Sequence, residues 1–383
     1  MKNVLLVDTN ISSMPIHKYL VETGYTVYVC GENVNDYLAK ISRNYIYSNY
    51  ACNDNLRDII EHKKIDYLVP GCNDISYKVC SEVNNSRQFY GIDTAEVAET
   101  INNKEKFRAF AIKAGLPVPR VFTLEQVRDI WPLIVKPVDA FSGRGITIVD
   151  KSETAQLNGA ITNARAFSKS QTCIIEEFVS GQLYSHSAFV SGGVIVTDFI
   201  VVEHGTANPF VVDTSRVVFD FPTHMLFGIR ECVVQMIIQL NLSDGLIHTQ
   251  FIANETEFWL IEVTRRCPGD LYSLLVERST GFQYAKAYAG PFIHQKIDRN
   301  FSFQMQAYVM RHTISLPHAE LFTNIQFNSP VKIDQFIPLC VTGDNIRQSP
   351  FGRIALMFAS TETDVELDYL FDKTLRRELY SIQ

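Results

Sequence analysis

The stretch from Leu133 to Ile146 carries the residues best suited to chemistry: an apolar run delivers Lys136 into Pro137, and a small-residue loop, Ser142-Gly143-Arg144-Gly145, follows. The pattern predicts strand, loop, strand. Glycines at such a turn let backbone N–H groups approach an anion, while Lys136 and Arg144 supply positive charge, so the loop could close over a polyphosphate. A glycine hairpin with two solvated cations fits the same residues. The stretch is neither a Walker loop, which needs a helix-opening Gly-Lys-Ser/Thr, nor a dinucleotide fingerprint.

Further candidates stand along the chain. Lys104 opens a predicted helix, where the N-terminal end of the peptide dipoles also favours anions, though a lysine there can simply be solvated. Thr172 to Gly181 reads as a strand ending in Glu176-Glu177-Phe178-Val179. At such a hinge the amides of Phe178 and Val179 could read a flat heterocycle; an ordinary acidic turn is the alternative. Glu262 lies inside the apolar run Phe258 to Val263, where a lone carboxylate is costly. It needs Arg265, Arg266 or a metal ion. Asp213 and Arg216 occupy a polar break between apolar runs, and form either a cleft wall or a paired surface loop. An arginine in a cleft could grip a substrate carboxylate through two hydrogen bonds.

Composition limits what these groups can serve. The 383 residues include 35 basic and 42 acidic side chains, a net charge of −7, so no basic field exists to hold nucleic acid. Hydrophobic content of 46% and charged content of 20% are ordinary for a globular protein with a core large enough for an enzyme. The eight cysteines lack zinc spacing, no cleavable leader opens the chain and no apolar run is long enough for a bilayer, which predicts a cytoplasmic protein without membrane partners.

The elements that must position the candidates follow from periodicity. Strand–helix–strand cycles run from Val4 to Asp74 and predict a parallel sheet with ligand-facing loops at the strand C-terminal ends, near Asp8 to Ser13 and Pro70 to Asp74. A helix from Glu105 to Ala114 stops at Gly115, and Pro117 and Pro119 stiffen the exit. Strands near Ile134 and Ile146, a helix from about Ser152 to Phe167 and the strand before Glu176 make a small α/β unit. Beyond it come a hairpin about Ser191-Gly192, strands Gly245 to Ile252 and Glu257 to Val263, a helix Leu271 to Arg278 with Asp270 as N-cap, strands near Met305 to Met310 and Arg353 to Phe358, and a charged last helix.

Taken in order, Lys104, Lys136, the Ser142 to Gly145 loop, Glu176 to Gly181 and Glu262 to Arg266 resemble the ATP-grasp superfamily. His248-Thr249 with Arg266-Cys-Pro-Gly269-Asp270 is most similar to its carbamoyl phosphate synthetase and L-amino acid ligase branch. The resemblance implies an α/β and α+β architecture: an N-terminal parallel α/β domain (1–100), a helical connector (101–119), a lid (120–182), a central mixed-sheet subdomain (183–300) and a β-rich C-terminal subdomain (301–383). It also implies ATP and Mg²⁺ or Mn²⁺. Lys104 and Lys136 would contact the phosphates, with Ser142, Gly143 and Gly145 closing over them. Glu176, Glu177 and the Phe178–Val179 backbone would hold adenine. Glu262 would bind the metal, with Gln250 and Thr264 as neutral oxygen donors. Arg266, joined by Arg144, would stabilise charge on the transferring phosphate or the tetrahedral adduct. Substrate would lie near Arg266 and the strands holding His186, His204 and Arg216, with Asp213 beside them.

The implied reaction is ligation: a carboxylic or amino acid is activated as an acylphosphate, and an amine displaces phosphate. Departures from the family pattern define a rival. Gln250 stands where a metal carboxylate is usual, Thr264 where asparagine is usual, Leu183 where a ribose-binding glutamate is usual, and Pro268 replaces a glycine. A weakened metal site would suit a non-catalytic, regulatory nucleotide-binding protein. Small-molecule substrates are the expected partners, and the general preference for symmetric pairs leans toward a homodimer.

Overall fold

The computed structural model describes residues 2–127, 130–140, 143–151, 156–299, 301 and 304–383. The first strand, Asn3–Val7, is buried from Val4 onward and pairs in parallel with Thr26–Gly31 on one side and Tyr67–Pro70 on the other. Tyr45–Tyr47 completes a four-stranded parallel sheet, as the alternation of strands and helices predicts. The helices Met14–Glu22 and Asp74–Val83 follow the first and fourth of these strands in sequence. Asn73 caps the second helix by accepting a hydrogen bond from Ser76 N at 2.9 Å.

The lid is a three-stranded antiparallel sheet with Leu133–Pro137 at its centre, between Thr147–Val149 and Cys173–Glu177. Helix Leu157–Phe167 covers it through Leu157, Ala160, Ile161 and Ala164, a spacing that puts all four on one helical stripe. The expected start of that helix at Ser152 lies outside the described residues.

An antiparallel sheet of eight strands forms the body. Its order is Phe258–Thr264, Gly245–Ala253, Gln182–Ser191, Val194–His204, Thr214–Val218, Tyr308–Ile314, Ala355–Thr361 and Ile333–Pro338. The sheet is thus antiparallel in each of these pairings rather than mixed. The hairpin about Gly192 and the reversal at Asn254 dictate this, because consecutive strands joined by tight turns run in opposite directions. Strands from both sides of residue 300 share the sheet.

Alternation along each strand gives the sheet two different faces. One packs Ala188, Ile200 and Ile247 under helix Thr223–Leu240, and Met310 and Met357 under helix Asp364–Leu375. The other packs Phe189, Val201 and Val217 against Tyr272–Thr280, Tyr284–Ala289 and the N-terminal sheet. Among the described residues no helix is long and apolar enough to cross a membrane.

Candidate active site

The connector helix Lys104–Lys113 begins at Asn103, whose side chain accepts from Lys106 N. Lys104 and Arg108 are one turn apart on the same helix face. Lys104 Nζ donates to Ala140 O at 3.0 Å, just beyond the end of the central lid strand. Arg108 is buried and donates through Nε to Glu176 and through Nη2 to Ile261 O at 2.9 Å. One helix therefore ties the lid to the edge strand of the body.

Lys136 and Glu176 meet diagonally across the lid, because Ile134 is the register partner of Glu176 and Lys136 lies two residues further along the same face. Lys136 Nζ donates to Glu176 Oε2 at 2.7 Å, and both side chains are buried. Burial works against the Glu176 charge, but Lys136 and Arg108 outweigh it and hold the carboxyl below its ordinary value. Burial, with Arg108 and Lys104 repelling, lowers Lys136. Arg108, missed in the sequence, completes a triad of two cations and one carboxylate. Its spacing of four from Lys104 was the available signal.

In the flap, Ser142 lies outside the described residues. Gly143 has φ +68° and Gly145 φ +71°, the left-handed region that favours glycine. A methyl group on Gly143 would meet Phe210 O at 2.5 Å, so the flap rests against the loop before strand Thr214–Val218. Arg144 places its guanidinium 5.8 Å from the ring centre of Phe351. At the hinge, Arg120 Nε pairs with Glu177 Oε2 at 2.7 Å, and Phe178 N donates to Pro132 O at 3.0 Å. Glu176 is thus committed to Lys136 and Arg108, and Phe178 N–H to the lid itself. Of the expected adenine-reading amides, Val179 N–H makes no hydrogen bond among the described residues.

One face of the body sheet collects a polar row. Register aligns Glu262 with Gln250, Gln250 with Ser185, Glu203 with Ser215, and Ser215 with Arg311. Gln250 Nε2 donates to Glu203 Oε2 at 2.6 Å, and Arg311 Nη2 to Ser215 Oγ at 2.7 Å. Arg311 and Glu203 are buried. Burial pushes the Glu203 carboxyl up against the hydrogen bonds from Ser185 and Gln250. Each lies within an apolar strand, the same signal that marked Glu262.

The arginines after Glu262 do not pair with it. Arg265 binds Asp93 at 2.7 Å, while Arg266 grips Asp74 with Nε and Nη2, each at 3.0 Å. Thr264 Oγ1 donates to the same Asp74 at 3.2 Å and accepts from Arg266 N, so this hydroxyl serves the bridge to the N-terminal domain. Glu262 is half-buried and has no hydrogen bond or ion pair among the described residues; Arg266 acts on it only through charge.

The three residues expected near substrate have partners away from the polar row. His186 faces the opposite side of the sheet, bound to Asp198 at 2.8 Å, which pairs in turn with Arg230. Arg216 faces that side too and pairs with Asp368 at 2.6 Å on the last helix. Asp213 accepts from Thr206 N and Oγ1 and from Ala207 N, folding its own loop. Ser185 and Ser215, their neighbours by one residue, are the ones on the polar face; parity decided the outcome. Asp270, expected as an N-cap, has φ +51° and pairs with Arg353 instead, while Leu271 holds the cap position without a side-chain bond.

Magnesium keeps several waters and takes one or two protein oxygens beside phosphate. Glu262 and the carbonyl end of Gln250 fit that requirement. Among the described residues no cluster of three His, Cys, Asp or Glu side chains offers a fuller cage.

Known proteins resemble this chain in one domain's sequence and in overall fold. Residues 101–269 match the family described as ATP-grasp domain. A cyanophycin synthetase from Crocosphaera subtropica is 29% identical over 128 residues, covering 28% of this chain and 14% of that protein. The L-amino acid ligase structure from Bacillus licheniformis aligns with a TM-score of 0.80 at 17% identity, over 100% of this chain and 98% of the other. A phosphoribosylglycinamide synthetase from Anaerococcus prevotii gives 0.77 at 17% identity, over 100% and 99%. These structural likenesses establish the fold, and residues 101–269 within it match the ATP-grasp domain.

Proposed function

We propose that the chain is a cytoplasmic ATP-dependent ligase that activates a small carboxylic or amino acid as an acylphosphate and couples it to an amine, releasing ADP and phosphate. The observation that carries this reading is Glu262, a carboxylate without an ion pair among the described residues, on the polar face that also holds Arg311. A buried structural glutamate would be paired; one left open suits a site that receives a cation with its nucleotide.

In this reading Lys104 and Lys136 set positive charge where the phosphates enter, and the Gly143–Gly145 flap closes over them. The metal ion, bound by Glu262 and Gln250, supplies neutralisation of phosphate charge. Arg266 is held at both ends of its fork by Asp74, so it offers a fixed rather than a swinging charge at the reacting centre. Arg311, held by Ser215 and Asp270, adds a fixed positive charge to the same face.

Incubation with ATP, Mg²⁺ and a panel of carboxylic acids, amino acids and amines should release ADP and phosphate only with a matched pair. The rival, a nucleotide-binding regulator, draws on Gln250 and Thr264 being bonded to Glu203 and Asp74. It predicts nucleotide binding that barely depends on Mg²⁺ and no turnover across the panel.

A further inference from the structure

Glu203 has no role in the function argued so far, and its situation is unusual. It is 4% exposed, and no lysine, arginine or histidine forms an ion pair with it among the described residues. Ser185 and Gln250 hydrogen-bond to it, and Arg311 and Arg266 act on it only from a distance. A carboxyl buried in such a place is costly unless what it touches satisfies it.

What it touches is Gln250. An amide has two different ends, a nitrogen that donates and an oxygen that accepts. In the 2.6 Å contact between Gln250 Nε2 and Glu203 Oε2 the amide nitrogen donates to the carboxyl oxygen, and this sets the sense of the amide. With Nε2 held toward strand Val194–His204, Oε1 is the end left for other partners, and Gln250 is the register partner of Glu262 on the other side. We propose that Glu203 is a positioning residue that orients the Gln250 amide so that its oxygen joins Glu262 at the metal. This rests on the reading of Glu262 and Gln250 as metal-binding residues. It also makes the Gln250–Glu203 pair a transposed amide and carboxylate, which the reverse arrangement should replace.

The test compares wild type, Glu203→Gln, Gln250→Glu and the swap Glu203→Gln/Gln250→Glu. Mn²⁺ affinity is read by electron paramagnetic resonance in saturating ADP, and ADP affinity without metal by calorimetry. Glutamine at position 203 can donate or accept, so Gln250 loses its fixed sense. Mn²⁺ should bind roughly tenfold to a hundredfold more weakly, as when outer partners of metal ligands are removed, with metal-free ADP affinity within about twofold of wild type. The swap should recover Mn²⁺ affinity to at least the wild-type value, because the amide introduced at position 203 can donate to the carboxylate introduced at position 250. Gln250→Glu alone sets two carboxylates against each other and should gain less than the swap. Glu203→Gln within about twofold of wild type in Mn²⁺ affinity, or a swap no better than Glu203→Gln, overturns the inference while leaving the nucleotide reading intact. If wild type binds ADP but no Mn²⁺ beside it, the metal reading and this inference fall together.

Discussion

Replacing Glu176 by glutamine removes one charge from a buried set of three and leaves two cations facing a neutral amide. Lys136 is 7% exposed and Arg108 2%, so water cannot take over the role of the carboxylate. Breaking a buried pair from one side costs about 3–5 kcal/mol, against at most about 1 kcal/mol for an exposed pair. At about 2 °C per kcal/mol for a chain of this size, the expected fall in Tm is about 6–10 °C. Urea unfolding followed by circular dichroism measures the loss directly, and Lys136→Met in the same background isolates the Lys136–Glu176 coupling. The double variant should be less destabilised than the two single changes added together, by about 2 kcal/mol or more. ATP without metal should restore Tm more in Glu176→Gln than in wild type, since phosphate can replace the missing negative charge beside Lys136. A Glu176→Gln protein within about 1 kcal/mol of wild type would refute the triad as a source of stability, and equal ATP responses would separate Lys136 from the phosphates.

Other perturbations follow from the same geometry. Gly143→Ala forces a left-handed backbone onto alanine and a methyl into Phe210 O, so KM for ATP should rise about tenfold with Tm nearly unchanged; steady-state kinetics and a melt check it. Asp74→Asn weakens the clamp on Arg266, and kcat should fall by about tenfold or more while KM for ATP holds. Burial lowers His312 to about 4, between Thr214 Oγ1 and Tyr380 OH. Its folded pKa lies below the unfolded value near 6.5, so the unfolded chain binds the extra proton, and stability falls as pH drops from about 6.5 to 4, by roughly 3 kcal/mol in all. His248, lowered by burial and Arg266, acts in the same direction. Unfolding free energies at pH 7.5 and 5, with the His312 imidazole still neutral by NMR at pH 5.5, test this. Glu262→Gln should abolish the Mg²⁺ dependence of nucleotide affinity, measured by calorimetry.

Much of the architecture was legible because its causes are local. The strand–loop–strand of the lid and the parallel N-terminal sheet each follow from residue types within a few positions of one another. Glu262 could be singled out from sequence because a carboxylate inside an apolar strand needs a reason wherever it occurs. Glu203 and Arg311 carry the same mark and were legible by the same rule.

Tertiary structure alone decided which charged groups share a face and which pair off. Arg266 and Asp74 are 192 positions apart, and Arg108 and Glu176 are 68 apart, so no local rule links them. His186 and Arg216 turned away from the polar face by a single step of strand parity, giving their expected place to Ser185 and Ser215. Side-chain direction alternates every residue, but which side is covered by the helices Thr223–Leu240 and Asp364–Leu375 depends on the packing of the whole sheet. The sequence determined the elements and their chemistry; long-range register and burial determined which of those residues meet.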